Sequence, residues 1–320
     1  MQPNIVLDKM RKHGINTRLL SIIADFLSNR KQCVRLNGNF SNYLDVAVGA
    51  PQGTKLGPLL WLFYVNDLKC NGFNVVKYAD DTTFYKAFSD RHSSVAPAIS
   101  HTQSWAEANH MILNADKTVI MNVSFNYKTV FDENVVLSDD TQLKPSDNLK
   151  FLGITVDERL SFSKHVDNLI SSCNSRLYLL RQLKVIGMNS EGLKQFYVAN
   201  IRSILSYASP AWFCMLSQTD KDRLERIQRS ATRTIFPNNE YQDRLSLLHL
   251  PTLCDFIFSL GERHFSRIVN DPDHPLFSRL IFNTGRISSR NNTIFRPAVC
   301  RTQKRAKSFF PLYMSCANKK

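Results

Sequence analysis

The sequence predicts an α+β fold in which a mixed first half precedes an almost wholly helical second half. Short apolar stretches punctuated by Asn-Gly, Pro-Gln-Gly and Asp-Asp steps fill residues 30–156. From Ser163 onward apolar residues recur every three or four positions. With 43% hydrophobic and 21% charged residues, the 320-residue chain can fill one or two cores, which excludes wholesale disorder.

Ile5, Val6 and Met10, then Leu19, Leu20, Ile22, Ile23, Phe26 and Leu27, recur at helical spacing, with Asn16 as the N-cap between two helices. Residues 32–36 and 43–48 flank Asn37-Gly38, a step that readily takes the positive φ of a tight hairpin turn. Residues 56–68 predict a buried helix entered from a Gly-rich turn. Residues 75–78 and 82–85 predict two strands around Ala79-Asp80-Asp81, and 91–113 a helix. Residues 119–123 and 151–156 read as strands. Three amphipathic helices follow, marked by Leu169, Leu177, Leu180 and Leu183; by Leu193, Phe196, Ile201, Ile204 and Leu205; and by Leu224, Ile227, Ala231 and Ile235. The compositional break near residue 160 sets a domain boundary.

The formal charge of +14 is lopsided. Residues 1–150 carry 16 Lys and Arg against 14 Asp and Glu, whereas residues 151–320 carry 25 against 13. Ten Lys and Arg, and no acid, follow Asp273. Such one-sided charge favours a polyanion, most simply nucleic acid; it also suits a solvated tail that resists aggregation. Seven scattered cysteines without a CxxC pair encode neither a zinc knuckle nor a disulfide framework, and predict a reduced, intracellular chain, cytoplasmic or nuclear. The opening residues lack the apolar region and cleavage site of a signal peptide. Residues 56–66 are too few to cross a bilayer of about 30 Å. Arg202 within residues 196–216 makes a buried helix the expectation there. No membrane partner is expected.

Asp80 and Asp81 are the sharpest chemical feature. Adjacent carboxylates repel and raise each other's pKa, and a divalent cation offsets that repulsion. Mg²⁺ (or Mn²⁺) takes hard oxygen ligands, often one or two carboxylates with water and substrate phosphates. A pair of such ions serves in-line phosphoryl displacement. An Asp-Asp pair also suits a plain surface turn, and Asp139-Asp140 is a second one. Upstream, Gly49, Gly53 and Gly57 would let backbone approach a nucleic-acid strand without a Cβ clash, and Gln52 can hydrogen-bond a base or phosphate. An ordinary turn before a helix fits the same residues. Arg226, Arg229 and Arg233 recur opposite Leu224, Ile227, Ala231 and Ile235, giving one basic face that either tracks a phosphate backbone or is simply solvated. Residues 286–307, with Phe295 and Phe309 nearby, would add charge and stacking. The eight histidines show no ligand spacing, and structural roles are expected for them.

In order along the chain, Pro51-Gln52-Gly53, Tyr78-Ala79-Asp80-Asp81, Asn114 with Lys117, and Phe151-Leu152-Gly153 resemble motifs B, C, D and E of the reverse transcriptases of non-long-terminal-repeat (LINE-type) retrotransposons. The resemblance covers about residues 1–240. It implies an RNA-directed DNA polymerase palm with a small antiparallel sheet packed on helices (residues 1–160, with part of the fingers), a helical thumb (161–245) and a basic C-terminal extension (246–320). It implies Asp80 as a metal ligand and Asp81 as its more weakly bound partner. Gln52, Gly53 and Tyr78 would contact template or incoming nucleotide, Lys117 would aid the leaving pyrophosphate, and Phe151, Leu152 and Gly153 would grip the primer. The implied partners are an RNA template, a DNA primer and deoxynucleoside triphosphates, joined by two-metal nucleotidyl transfer. Ser308-Phe309-Phe310-Pro311 also looks like the C-terminal tail of such reading frames.

The resemblance places motif A, with the family's first metal-binding Asp, just before Met1. A truncated polymerase is therefore expected, inactive as this chain, with the missing segment absent or supplied by a longer open reading frame. Asp8 and Asp45 read as structural. Ala50 and Lys55 also depart from the family pattern, which favours β-branched and apolar or small residues there. The competing expectations are a non-catalytic nucleic-acid-binding remnant and a gene-model fragment whose incomplete palm folds poorly.

Overall fold

The computed structural model of the chain describes residues 1–88, 94–125, 135–137, 141–283, 294–296 and 299–318. Asp139-Asp140 and Arg286 lie outside the described residues. The chain forms two compact units, Met1–Asn122 with Asn126–Ser146, and Val123–Phe125 with Asp147–Lys320. The architecture is α+β, with small antiparallel ladders among helices.

In the first unit, α1 (Pro3–Lys12) and α2 (Thr17–Leu27) are separated by Asn16, whose side chain accepts the Arg18 N–H at 2.8 Å. That bond satisfies one of the open donors at a helix start. The Asn-Gly hairpin forms as expected, with φ of 49° at Asn37 and 86° at Gly38. Its ladders are shorter than expected: β1 (Lys31–Gln32) pairs with β4 (Leu44–Asp45), and β2 (Arg35–Leu36) with β3 (Asn39–Phe40). Next, α3 (Leu56–Val65) stops three residues before the expected end. Leu60, Tyr64 and Val65 of α3 pack with Val6 and Met10 of α1 and Leu20, Ile23 and Leu27 of α2. Leu59 and Leu62 face outward, so this helix is buried on one side only.

The β5 (Asn74–Tyr78) and β6 (Asp81–Tyr85) hairpin follows, then α4 (Ala96–Ala108) and a capped 3-10 turn, Ala115–Lys117. Residues 119–123 do not form the expected strand. Ile120 makes a single bridge to Pro145, and a proline has no N–H with which to extend a ladder. The remaining ladder pairs β7 (Val135–Val136) with β8 (Gln142–Leu143).

The second unit begins with a correction to residues 151–156. They do not run as one strand: β9 (Asn148–Phe151) and β10 (Ile154–Asp157) form a hairpin around Leu152 and Gly153, with φ of 46° and 86°. A glycine at the second turn position accommodates that left-handed geometry.

After this hairpin come α5 (Ser163–Val185), α6 (Ser190–Tyr197), a π-turn over Val198–Arg202 and α7 (Ser203–Ser206). Residues 196–216 are therefore not one helix: Ala208, at φ 47°, breaks the path after Tyr207. Among the described residues no helix is long and apolar enough to cross a membrane. The fold continues with α8 (Gln218–Ile235), α9 (Tyr241–Leu248) and α10 (Leu253–Asn270). The leucines and isoleucines picked out by periodicity line this core: Leu169, Leu177, Leu180, Leu193, Ile201, Leu205, Leu224, Ile227 and Ile235 are buried together.

The C-terminal segment folds onto α10. It contains α11 (Gln303–Lys307) and α12 (Phe309–Ala317). Phe295 is 2% exposed and stacks edge-on with Phe265, while Phe309 packs on Phe265 and Tyr313. Neither ring is presented for stacking on a nucleic-acid base, contrary to the expectation from sequence; both belong to the apolar cluster built around Phe265, Ile268 and Tyr313. Gly261 of α10 lets Tyr313 approach, since a Cβ there would lie 1.9 Å from the phenol oxygen.

Two carboxylates fasten the start of the helical core. Asp157 accepts hydrogen bonds from the N–H groups of Arg159, Ser161 and Phe162 and from the Ser161 hydroxyl at 2.7–3.0 Å. Asp220 accepts from Ser163, Ser217 and Arg223, linking α5 to α8. Burial pushes both pKa values up, but these hydrogen bonds (and, for Asp220, the Arg223 charge) outweigh it, and both lie below the ordinary carboxylate value. A carboxylate lowered by folding contributes stability in full above its unfolded pKa of about 3.9, and that contribution fades as pH falls towards the folded value. The second unit is therefore expected to lose urea resistance below about pH 4. Asp157→Asn and Asp220→Asn should each flatten the pH dependence of the urea midpoint; an unchanged profile in both would contradict this account.

Candidate functional site

The head of α3 is shaped by a closed loop. Thr54 Oγ1 donates to the Pro51 carbonyl at 2.9 Å and accepts the Gly57 N–H at 3.1 Å. A Cβ on Gly57 would meet the Pro51 carbonyl oxygen at 2.6 Å. Gly57 is thus required by the loop's own closure, not by the approach of a nucleic acid as expected from sequence. Gly49 and Gly53 do face open space, with φ of 104° and 73°, and Gln52 is exposed beside them.

One and a half turns into α3, the Trp61 indole N–H donates to the Ala79 carbonyl at 2.7 Å. Ala79 and Asp80 form the turn between β5 and β6, and Tyr78 pairs with Asp81 across it. Ala79 sits at φ 53°, a left-handed conformation that costs an L-residue about 1–2 kcal/mol. Strain of this kind persists where the surroundings over-determine it. Here the clamps are the indole and Lys77, whose ammonium donates to the Val65 carbonyl at 2.6 Å and the Asn66 carbonyl at 3.3 Å at the end of α3. Burial holds the Lys77 pKa below its ordinary value, with nearby Lys69 and Lys9 adding to the effect and Asp67 opposing it.

Asp80 and Asp81 emerge from this turn exposed, as does Tyr78. Neither carboxylate is ion-paired among the described residues. Two open hard-oxygen donors fit a divalent ion that fills its remaining positions with water and phosphate oxygens. A two-ion centre needs a carboxylate these two do not supply: among the described residues, no group of three or more His, Cys, Asp or Glu is gathered at one point. Asp8 is exposed and paired with Arg11 at 2.5 Å, and Asp45 with Lys31 at 3.7 Å.

Lys117 ends the separate 3-10 turn, where Asn114 Oδ1 accepts the Lys117 N–H at 3.1 Å. Its exposed ammonium makes no bond to the Asp80–Asp81 turn among the described residues. The structure therefore ties the Tyr78–Asp81 turn to α3, the helix into which the Gln52–Gly53 loop leads, and leaves Lys117 on its own capped turn.

Phe151, Leu152 and Gly153 belong to the second unit. The tip they form is braced by Tyr207, whose hydroxyl donates to the Leu152 carbonyl at 3.0 Å. The Tyr207 ring lies so close that a Cβ on Gly153 would be 3.2 Å from it. Tyr207 is itself fixed by the buried Trp212, whose indole N–H donates to the Tyr207 carbonyl at 3.1 Å. On α8, Arg226, Arg229 and Arg233 are all exposed, and Leu224, Ile227, Ala231 and Ile235 are buried on the opposite side. Arg229 lies 4.6 Å from the centre of the Tyr241 ring.

Sequence reasoning missed Trp61, Lys77 and Tyr207, the residues that hold these tips in place. An indole within an apolar run was the available signal for Trp61, because a partly buried indole N–H seeks an acceptor. Nothing in the local sequence marked Lys77 or Tyr207, whose partners lie 12 and 55 positions away.

Residues 2–156 match the family model described as reverse transcriptase (RNA-dependent DNA polymerase). The chain is 26% identical to the "Probable RNA-directed DNA polymerase from transposon BS" of Drosophila melanogaster, over 77% of this chain and 28% of that protein. It is 30% identical to the RNA-directed DNA polymerase from mobile element jockey of the same species, over 48% of this chain and 18% of that protein. With the "Probable RNA-directed DNA polymerase from transposon X-element" it shares 25% identity over 80% of this chain and 29% of that protein. The chain thus spans less than a third of the length of these relatives. No solved structure matches it. Over residues 2–156 the chain is thus similar to the reverse transcriptases, and these relatives support the non-long-terminal-repeat retrotransposon branch of that family.

Proposed function

We propose that the first unit carries the metal-binding half of a reverse transcriptase palm and that the second unit holds the template–primer. The observation behind this reading is the Asp80–Asp81 turn, kept in a strained conformation by Trp61 of the helix that begins at the Gln52–Gly53 loop. Asp80 and Asp81 would hold Mg²⁺ (or Mn²⁺), which when bound draws phosphate oxygens together and offsets their charge. Gln52, Gly53 and Tyr78 would contact template or nucleotide. Lys117 aids departure of pyrophosphate. Phe151, Leu152 and Gly153 grip the primer, and Arg226, Arg229 and Arg233 track the backbone. RNA template, DNA primer and deoxynucleoside triphosphates are the partners of this reading.

Nucleotidyl transfer by two ions calls for a second acidic motif beside Asp80 and Asp81. A rate loss of about 10⁴ without it corresponds to a barrier higher by about 5.5 kcal/mol. This 320-residue chain is accordingly proposed to bind template–primer without extending it. In a primer-extension assay on an RNA template, with Mg²⁺ or Mn²⁺, the chain should give no more product than its Asp80→Ala variant. It should retain salt-sensitive binding of the same duplex. Templated synthesis that Asp80→Ala abolishes would refute the inactivity, and binding indifferent to salt would refute the role of the second unit.

A further inference from the structure

Among the described residues of the second unit, Arg244 is a buried cation in no ion pair. Arg244 of α9 is only 8% exposed, and its Nε is enclosed with no hydrogen-bond acceptor among the described residues. It takes part in none of the ion pairs among the described residues. Arginine is almost never so buried unless paired, because an uncompensated charge inside a protein is costly.

The surroundings deepen the imbalance. The Arg244 guanidinium lies 5.8 Å from the centre of the Tyr241 ring, and that of Arg229 lies 4.6 Å from the same point. The two cations are therefore within about 10 Å of each other. Glu225 also meets Tyr241, but its carboxylate is committed to the Tyr241 hydroxyl and to the N–H groups of Leu253 and Cys254 at 3.2 and 3.1 Å. Glu240 and Asp243, on or beside α9, are exposed and make no ion pair with Arg244 among the described residues. Two guanidinium groups thus meet one aromatic ring, and the nearby Glu225 carboxylate directs its hydrogen bonds to Tyr241, Leu253 and Cys254 and not to either of them.

We propose that Arg229, Tyr241 and Arg244 form a notch for one phosphate group, supplied by the backbone of bound nucleic acid. A guanidinium presents N–H groups in a planar fork suited to phosphate oxygens. The Tyr241 ring holds both cations by contact with its face. The notch extends the exposed face of α8 inward to a charge that the sequence places on a different helix. This inference rests on the proposal that the second unit binds nucleic acid.

The test is fluorescence anisotropy of a recessed-end duplex titrated with the full chain, at salt concentrations from about 50 to 200 mM. Arg229→Gln and Arg244→Gln should each weaken binding and reduce the log–log salt slope by about 0.9, the value for one phosphate contact. The double variant should lose no more slope than either single one, because both side chains share one phosphate. Inorganic phosphate, at matched ionic strength, should compete with the duplex in the parent chain more than in Arg244→Gln. Equal competition in both would overturn the notch. Should Arg244→Gln fail to fold, the exposed Arg229→Gln decides: an unchanged slope there overturns the proposal. Arg226→Gln with Arg233→Gln provides the separate control. If that pair lowers the slope while Arg229→Gln and Arg244→Gln do not, the notch is wrong and the wider reading stands. If none of the four changes it, the wider reading falls as well.

Discussion

Replacing Glu225 by alanine is expected to destabilise the second unit by about 3–5 kcal/mol, since each buried donor left without an acceptor costs about 1–3 kcal/mol. Glu225 lies on α8 and is buried. Its two oxygens receive the Leu253 and Cys254 N–H groups at the start of α10 and the Tyr241 hydroxyl of α9. A single carboxylate therefore satisfies the open donors of one helix start and anchors a second helix. The network continues: Gln228 accepts the Tyr197 hydroxyl at 2.5 Å and donates to Tyr241 at 3.0 Å and to the Pro251 carbonyl at 2.9 Å. Burial, first, and the neighbouring Glu225 push the Tyr241 pKa upward, and the same two causes push the Cys254 thiol up to about 12. Urea denaturation should show a lower midpoint with an unchanged slope. Glu225→Gln, which keeps one acceptor oxygen, should lose less than half as much. Equal losses in the two variants would show that the hydrogen bonds are not the cause.

A comparable loss, about 3–5 kcal/mol, is expected from Trp212→Ala, the range for deleting a large buried aromatic. Trp212 is fully buried, edge-on to His165 at 5.0 Å and to Phe213 at 6.0 Å. Burial holds His165 below its ordinary pKa, which favours the neutral imidazole against the indole. Trp212→Phe separates packing from hydrogen bonding. It retains most of the volume but removes the N–H that holds the Tyr207 carbonyl. Thermal unfolding should show the larger loss in Trp212→Ala. Hydrogen exchange at the Leu152–Gly153 tip should rise in both variants, because Tyr207 braces that tip. Exchange unchanged in Trp212→Phe would show that the indole bond does not position the tip.

These two sites show where sequence reading stopped. Period and spacing placed Leu224, Ile227, Ala231 and Ile235 in the core and Arg226, Arg229 and Arg233 on the surface, because a helix sorts residues by its own 100° step. Glu225 and Gln228 are polar residues on the same helix, and nothing local marks them as buried. Their burial depends on Tyr197, Tyr241 and the start of α10, which reach them only after the helices pack. The error at residues 151–156 has a related origin. Alternating apolar character cannot distinguish one strand from a hairpin when the turn contains a leucine, and the Tyr207 contact that fits Leu152 and Gly153 comes from 55 residues downstream.

The amino-acid sequence by itself determined the local geometry of this protein: the Asn16 cap, the Asn37-Gly38 turn, the paired carboxylates at Asp80 and Asp81, and the apolar stripes of the helices. It also carried the ordered motifs by which the family was read, since these depend on residue type and spacing alone. Tertiary structure decided which side chains hold those motifs in place. Trp61 reaches Ala79, Tyr207 reaches Leu152, Phe295 and Phe309 turn into a core, and Arg244 is buried with no acceptor for its Nε among the described residues. The physical reason is that periodicity reports the environment of one element, whereas a hydrogen bond, a stacked ring or an unpaired charge depends on two elements meeting.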